Sequence, residues 1–180
     1  MKLLEGENII LRAPELTDLD ILYNWENNPD TWIYGNTLSP FSKYILSKYL
    51  ETAQLDIYEA KQLRLMVDLK TKPQKTIGIV DLFDFDPFHN RAGIGILIAD
   101  IEYRQQGLAY DSLQTLKLYC FKVLLLNQLY CNIGIDNVDS LKLFQKCGFE
   151  ISGQKRSWLR RENGFVDEYF LQLINTDRRS

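Results

Sequence analysis

The residues Ile96-Leu97-Ile98-Ala99-Asp100-Ile101-Glu102-Tyr103-Arg104-Gln105-Gln106-Gly107-Leu108-Ala109-Tyr110 pass from an apolar run through a polar turn into a helical pattern. That pattern continues through Leu113, Leu116, Lys117, Cys120 and Val123-Leu124. A second apolar run, Leu129-Tyr130-Cys131-Asn132-Ile133-Gly134-Ile135, follows it. Strand, crossover helix and strand in this order lie parallel in one sheet with a right-handed connection. Gly107 and Ala109 fall in the first helical turn. Free backbone amides there, aided by the helix dipole, attract phosphate, and Gly107 has no side chain to block its approach. Arg104 and Gln106 could add donors beside the loop. An ordinary strand–turn–helix connection with a solvated turn fits the same residues equally well. A nucleotide P-loop does not, because no Gly-Lys-Ser/Thr follows. Gly93-Ile94-Gly95 reads as two strand glycines, since neither a third glycine nor a helix comes after it.

Upstream, Leu63 to Leu69, Thr76 to Phe83 and Ala92 to Ile98 are alternating runs joined by short polar turns, which predicts an antiparallel meander. Before them come a strand at Asn8 to Arg12 and a helix starting at Thr17-Asp18 and stopping near Asn27-Asn28-Pro29. Ser39-Pro40 is expected to open a second helix through Tyr44, Ile45, Lys48, Tyr49 and Thr52. Downstream, Val138 to Lys146 reads as a helix capped at Cys147-Gly148. Strands near Gly153 to Arg160 and Phe165 to Leu173 flank Glu162-Asn163-Gly164, a hairpin signal. We expect one mixed α/β (α+β) domain over residues 1–180, its sheet six- or seven-stranded, mostly antiparallel and flanked by helices.

Composition narrows the chemistry. The chain of 180 residues has 46% hydrophobic side chains and a net charge of −3, which excludes disorder and a bulk electrostatic grip on nucleic acid. A cationic small substrate remains compatible. Cys120, Cys131 and Cys147 are odd in number and far apart, so reduced thiols are expected. One histidine, His89, gives no zinc cluster, and no metal is expected. Met1 to Glu7 turns acidic before an apolar core can build, and no apolar run reaches the roughly 20 residues that span a bilayer. The expectation is a cytoplasmic protein with no membrane partner.

Arg104-Gln105-Gln106-Gly107-Leu108-Ala109 resembles the Arg/Gln-x-x-Gly-x-Gly/Ala acyl-CoA signature of the GNAT (Gcn5-related) N-acetyltransferases. Asp136-Asn137-Val138-Asp139-Ser140 with Lys146-Cys147-Gly148-Phe149 resembles the Asn-x-x-Ser and Lys-x-Gly-Phe segment of the same family. The two occur in the family's order. Within the family, Leu11 to Leu19, Trp25 to Asn28 and Asp84 to Ala92 are similar to the spermidine and ribosomal-protein N-acetyltransferases.

The resemblance implies a V-shaped splay between the fourth and fifth strands and acetyl-CoA as cosubstrate. It implies that Leu97, Ile98 and Ala99 meet the pantetheine arm, while Arg104, Gln105, Gln106, Gly107, Leu108, Ala109 and Tyr110 surround the pyrophosphate. Asn137 and Ser140 would contact coenzyme A, or serve only as a helix cap and a solvent-facing helix residue. The acceptor would be a primary amine, of a polyamine or of a peptide N-terminus. An amine with a pKa about that of lysine, roughly 10.4, arrives protonated, so a carboxylate or a water held by one must take a proton. The family's glutamate and tyrosine positions hold Gly93 and Phe144, which can do neither job. Asp84 and Glu26 are the catalytic candidates; Asp81, three residues before Asp84, would face the other way in a regular strand. Trp25, Trp32 and Tyr34 could wall a cationic pocket or pack between helices, and Tyr130 could donate its hydroxyl. A CoA-binding module with little turnover is the alternative. The terminal hairpin strands could also pair across a homo-oligomer.

Overall fold

A computed structural model describes residues 3–32, 39–52 and 56–176. Tyr34 lies outside the described residues. Strand β1 (Ile9–Arg12) is followed by α1 (Leu19–Glu26), α2 (Pro29–Trp32), α3 (Lys43–Thr52) and α4 (Ile57–Ala60). The antiparallel strands β2 (Leu63–Leu69), β3 (Lys75–Asp86) and β4 (Arg91–Ile98) come next. Helix α5 (Leu108–Lys122) crosses to β5 (Gln128–Gly134), then α6 (Val138–Lys146) leads to the hairpin of β6 (Glu150–Arg161) and β7 (Gly164–Ile174). The seven strands form one sheet in the order β1-β2-β3-β4-β5-β7-β6, with only the β4–β5 pair parallel.

Strand alternation sorts side chains onto two layers. Leu65 and Val67 join Ile9, Leu11, Val80, Leu82 and Leu129 in the main core, against Leu113, Leu116 and Cys120 of α5. Met66 and Ile79, one residue out of phase, meet Leu22 and Trp25 of α1 and Leu50 of α3. The sheet is therefore covered by α5 on one face and by α1 and α3 on the other. All three cysteines are buried and unpaired with one another. Burial raises the pKa of the Cys120 and Cys131 thiols well above their ordinary value.

Helix α3 begins at Lys43, not at Ser39-Pro40. Ser42 sets that start: its hydroxyl accepts from the Ile45 amide at 3.2 Å and its carbonyl accepts from Leu46 at 3.1 Å. Helix α6 has the expected bounds, with Asn137 Oδ1 accepting from the Ser140 amide at 3.2 Å. Among the described residues, no helix is long and apolar enough to cross a membrane.

Candidate active site

The parallel pairing of β4 and β5 is short. It covers Arg91–Gln128, Ala92–Leu129 and Gly93–Tyr130, and then stops. Beyond that point β4 stays paired with β3 as far as Ile98, and β5 stays with β7 as far as Gly134. The two strands part, and Gly95, Ile96 and Leu97 on the parted section of β4 are half-buried. Alternate strand amides point to opposite edges. The Ala99 amide donates across β3 to the Ile77 carbonyl at 2.9 Å, so the Ile98 amide faces the opened gap.

The gap ends at the start of α5. Gly107 is the N-cap residue, with φ +80, a left-handed conformation that favours glycine. The Asp111 amide makes the first intrahelical bond, to the Gly107 carbonyl at 3.0 Å. The amides of Leu108, Ala109 and Tyr110 precede it and have no intrahelical partner. A Cβ added at Gly107 would meet nothing within 4 Å, so the space beside the Gly107 Cα is clear. Arg104 and Gln106 have a different local role from the donors expected beside the loop. Arg104 Nε donates to the Ile98 carbonyl at 2.9 Å and Gln106 Nε2 to the Glu102 carbonyl at 2.6 Å, so both side chains brace the loop. The residues present fit a diphosphate at the helix start and a thioester arm along the Leu97–Ala99 edge. Asn137 caps α6 by accepting from the Ser140 amide.

A cavity of about 600 Å³ opens on the α1 side of the sheet, lined by Glu26, Phe41, Tyr49, Arg64, Asp81 and Phe83 among others. Asn27 positions Phe41 there, accepting from its amide at 2.8 Å and donating to its carbonyl at 3.0 Å. Arg64 occupies the floor. Its Nε and Nη2 bond the two oxygens of Asp81 at 2.7 and 3.0 Å, its Nη1 bonds Glu26 Oε1, and it stacks 5.6 Å from the Tyr49 ring centroid. Burial opposes the Arg64 charge, but the carboxylates of Asp81 and Glu26 outweigh it and hold its pKa above the ordinary value. Glu26 Oε2 has no hydrogen bond among the described residues.

Arg64, Asp81 and Gly95 are register partners across β2, β3 and β4. A Cβ added at Gly95 would meet nothing within 4 Å. Neighbouring strands lie about 5 Å apart, so this row leads from the cavity to the edge of the splay within two strand spacings.

Asp84 corrects the expectation that it and Asp81 face opposite ways. Phe83 pairs with Gly93 and Asp86 with Arg91, so β3 has one extra residue there. This bulge holds Asp84 at φ +48. Asp84 accepts from the Tyr130 hydroxyl at 3.0 Å, and the Tyr130 ring packs edge-on against Phe83 of the cavity wall. Both acids are thereby on the cavity side, but Asp84 is exposed and outside the lining. Desolvation and the Asp84 hydrogen bond push the Tyr130 pKa up to about 12, so its hydroxyl keeps its proton at neutral pH.

The remaining expectations resolve by burial. Trp25 is core packing, and Trp32 donates to the Glu26 carbonyl at 2.7 Å. The aromatic wall comes instead from Phe41, Tyr49 and Phe83. Phe144 is 4% exposed and packs on Phe149. A Cβ added at Gly93 would fall 2.1 Å from Phe83 Cε2, so that ring lies over the place where a glutamate would stand. Among the described residues, no group of three or more His, Cys, Asp or Glu is placed to hold a metal ion.

The acetyltransferase (GNAT) domain profile matches residues 8–150. The chain belongs to the GNAT acetyltransferase family. As a GNAT acetyltransferase, it is an N-acetyltransferase domain for which the family implies acetyl-CoA as cosubstrate. It is 26% identical over 166 residues to the spermidine N(1)-acetyltransferase of Vibrio cholerae serotype O1, which spans 92% of this chain and 87% of that protein. Its fold matches the crystal structure of Vibrio cholerae spermidine N-acetyltransferase in complex with CoA and spermine, with a TM-score of 0.83 at 22% identity over 94% and 96% of the two chains. It also matches a dodecameric structure of the Vibrio cholerae enzyme, with a TM-score of 0.79 at 22% identity over 97% and 98%.

Proposed function

We propose that the protein moves an acetyl group from acetyl-CoA to a primary amine by direct attack. The observation that carries this reading is the clear helix start at Gly107, continuous with the parted β4 edge. Amides from Gln105 to Tyr110 hold the diphosphate, Leu97 to Ala99 align the thioester arm, and Asn137 and Ser140 close its far side. The Ile98 amide donates to the thioester oxygen as negative charge develops there. Glu26, through Oε2, takes the ammonium proton directly or by a water, and the Arg64 guanidinium, itself anchored on Asp81, orients that carboxylate. Asp84 sits at the rim, where it attracts an approaching ammonium. In-line placement of the neutral amine then supplies much of the acceleration.

A second reading, a CoA-binding module with little turnover, draws on Gly93 beneath the Phe83 ring and on Phe144 in the core. A thiol-release assay with polyamines, arylalkylamines and amine-terminal peptides decides between them. Transfer predicts CoA release well above hydrolysis with at least one amine. A melting shift with acetyl-CoA but no amine-dependent release would support the binding module.

A further inference from the structure

We infer that the acceptor is a small monocationic amine carrying an aromatic or aliphatic body, and that Arg64 sets this preference by cancelling one of the two carboxylates in the cavity. The inference rests on the acetyl-transfer reading above.

Glu26, Asp81 and Arg64 together leave a net charge of −1 in the cavity. Arg64 is an arginine, only 19% exposed and held on three donors, so it neither deprotonates nor swings away cheaply. One ammonium balances the site. A polyamine with three or more charges would bring its further cations against the guanidinium and the apolar wall, and buried unpaired charge is costly. The stretch between Trp32 and Ser39 contains neither Asp nor Glu. Asp84, the next carboxylate on the same face, lies outside the lining and accepts from the Tyr130 hydroxyl.

The rest of the lining suits an apolar body. Phe41, Ile45, Leu46, Tyr49 and Phe83 line the cavity around the polar triad, with Gln62 beside them. A cavity near 600 Å³ is in the usual range for a small ligand. Gly95 leaves open space beside Asp81, so an ammonium held at the triad can extend toward the splay. Arg64 acts through the carboxylates and is a positioning residue.

The test compares 2-phenylethylamine, spermidine and an alanine-led tripeptide in the CoA-release assay, with the intact chain at fixed pH and salt. The expected result is a kcat/KM for phenylethylamine at least tenfold above both others. Arg64→Met should move the phenylethylamine-to-spermidine ratio at least tenfold toward spermidine. Phe41→Ala keeps the test decisive where Arg64→Met fails to fold. It should raise the KM for phenylethylamine severalfold and leave the KM for spermidine in place. Preference of the wild-type protein for spermidine or for the peptide overturns the inference and leaves acetyl transfer standing. A ratio unmoved by Arg64→Met in a folded variant overturns the role of Arg64. Absence of amine-dependent release with all three acceptors overturns both readings.

Discussion

Arg12→Met should destabilise the protein by about 3–5 kcal/mol at pH 7, measured by urea denaturation with an unchanged slope. Arg12 is the last residue of β1 and faces the first helical turn. Its Nη1 and Nη2 bond both oxygens of Asp18 at 2.7 and 2.8 Å, and its Nε bonds Asp68 Oδ2 at 2.6 Å. Asp18 is 6% exposed and Asp68 2% exposed. Removing the guanidinium leaves two buried carboxylates without their counter-charge, and Asp68 Oδ1 already has no hydrogen-bond partner among the described residues. By contrast, the exposed pair of Lys43 and Asp20 should be close to silent when broken, because solvent screens it.

The sign of the pH dependence follows from the Asp18 carboxyl. Burial raises its pKa, but the hydrogen bonds from Arg12 and the Glu15 amide, with the Arg12 charge, outweigh burial and leave it below the ordinary value. A depressed carboxyl contributes stability above its unfolded pKa, about 3.9, and loses that contribution as pH falls through its folded value. Arg12 itself is held above its ordinary value, so it stays charged throughout this range and the acid limb is set by its carboxylate partners. In Arg12→Met, burial dominates at Asp18 and favours the neutral acid. The gap between wild type and variant should therefore be widest near pH 7 and narrow below about pH 4.

Gly107→Glu should weaken acetyl-CoA binding by roughly 30- to 150-fold, equivalent to about 2–3 kcal/mol, because a carboxylate would stand where charge-assisted bonds to the diphosphate form. It should also cost about 1 kcal/mol or more of folding stability, since φ is +80 at this position. Gly107→Ala separates the two effects. It carries the backbone strain, but its methyl group enters open space, so stability should fall as in Gly107→Glu while affinity changes far less. Calorimetric titration with acetyl-CoA and urea denaturation read the two quantities independently. Equal affinity in wild type and Gly107→Glu would remove the helix start from the binding site.

Local signals in the sequence carried the scaffold. The Asn137 cap and the glycine after Cys147 bound α6 at the expected residues, and the Asn163-Gly164 turn fixes the terminal hairpin. The order of strand, helix and strand around Gly107 gave the parallel pair. What was not legible depends on register. The bulge before Asp86 inserts a residue with no compositional mark, and Asp84 adopts a positive φ without being glycine. Strict alternation therefore misplaced Asp84 relative to Asp81. Arg64 lies 38 residues from Glu26 and 17 from Asp81; the pairing of β2 with β3 brings in Asp81, and the packing of α1 on the sheet brings in Glu26. An arginine inside the apolar run Leu63 to Leu69 was the available hint. A charge in a strand that becomes half-buried needs partners, and here they prove to be the candidate acids.

Glu26 and Asp81 consequently differ in what they can do. Asp81 has both oxygens on the Arg64 fork, whereas Glu26 has one on Nη1 and one with no hydrogen bond among the described residues. Gly95 is the point where this acid cluster and the parted β4 edge adjoin.

Amide hydrogen exchange, followed residue by residue with and without saturating acetyl-CoA, examines the cradle itself. Slowed exchange concentrated at residues 105–110 and at Ile98 is the predicted result. Protection confined to other parts of the sheet, with the amides at the start of α5 exchanging as fast as in the free protein, would contradict it.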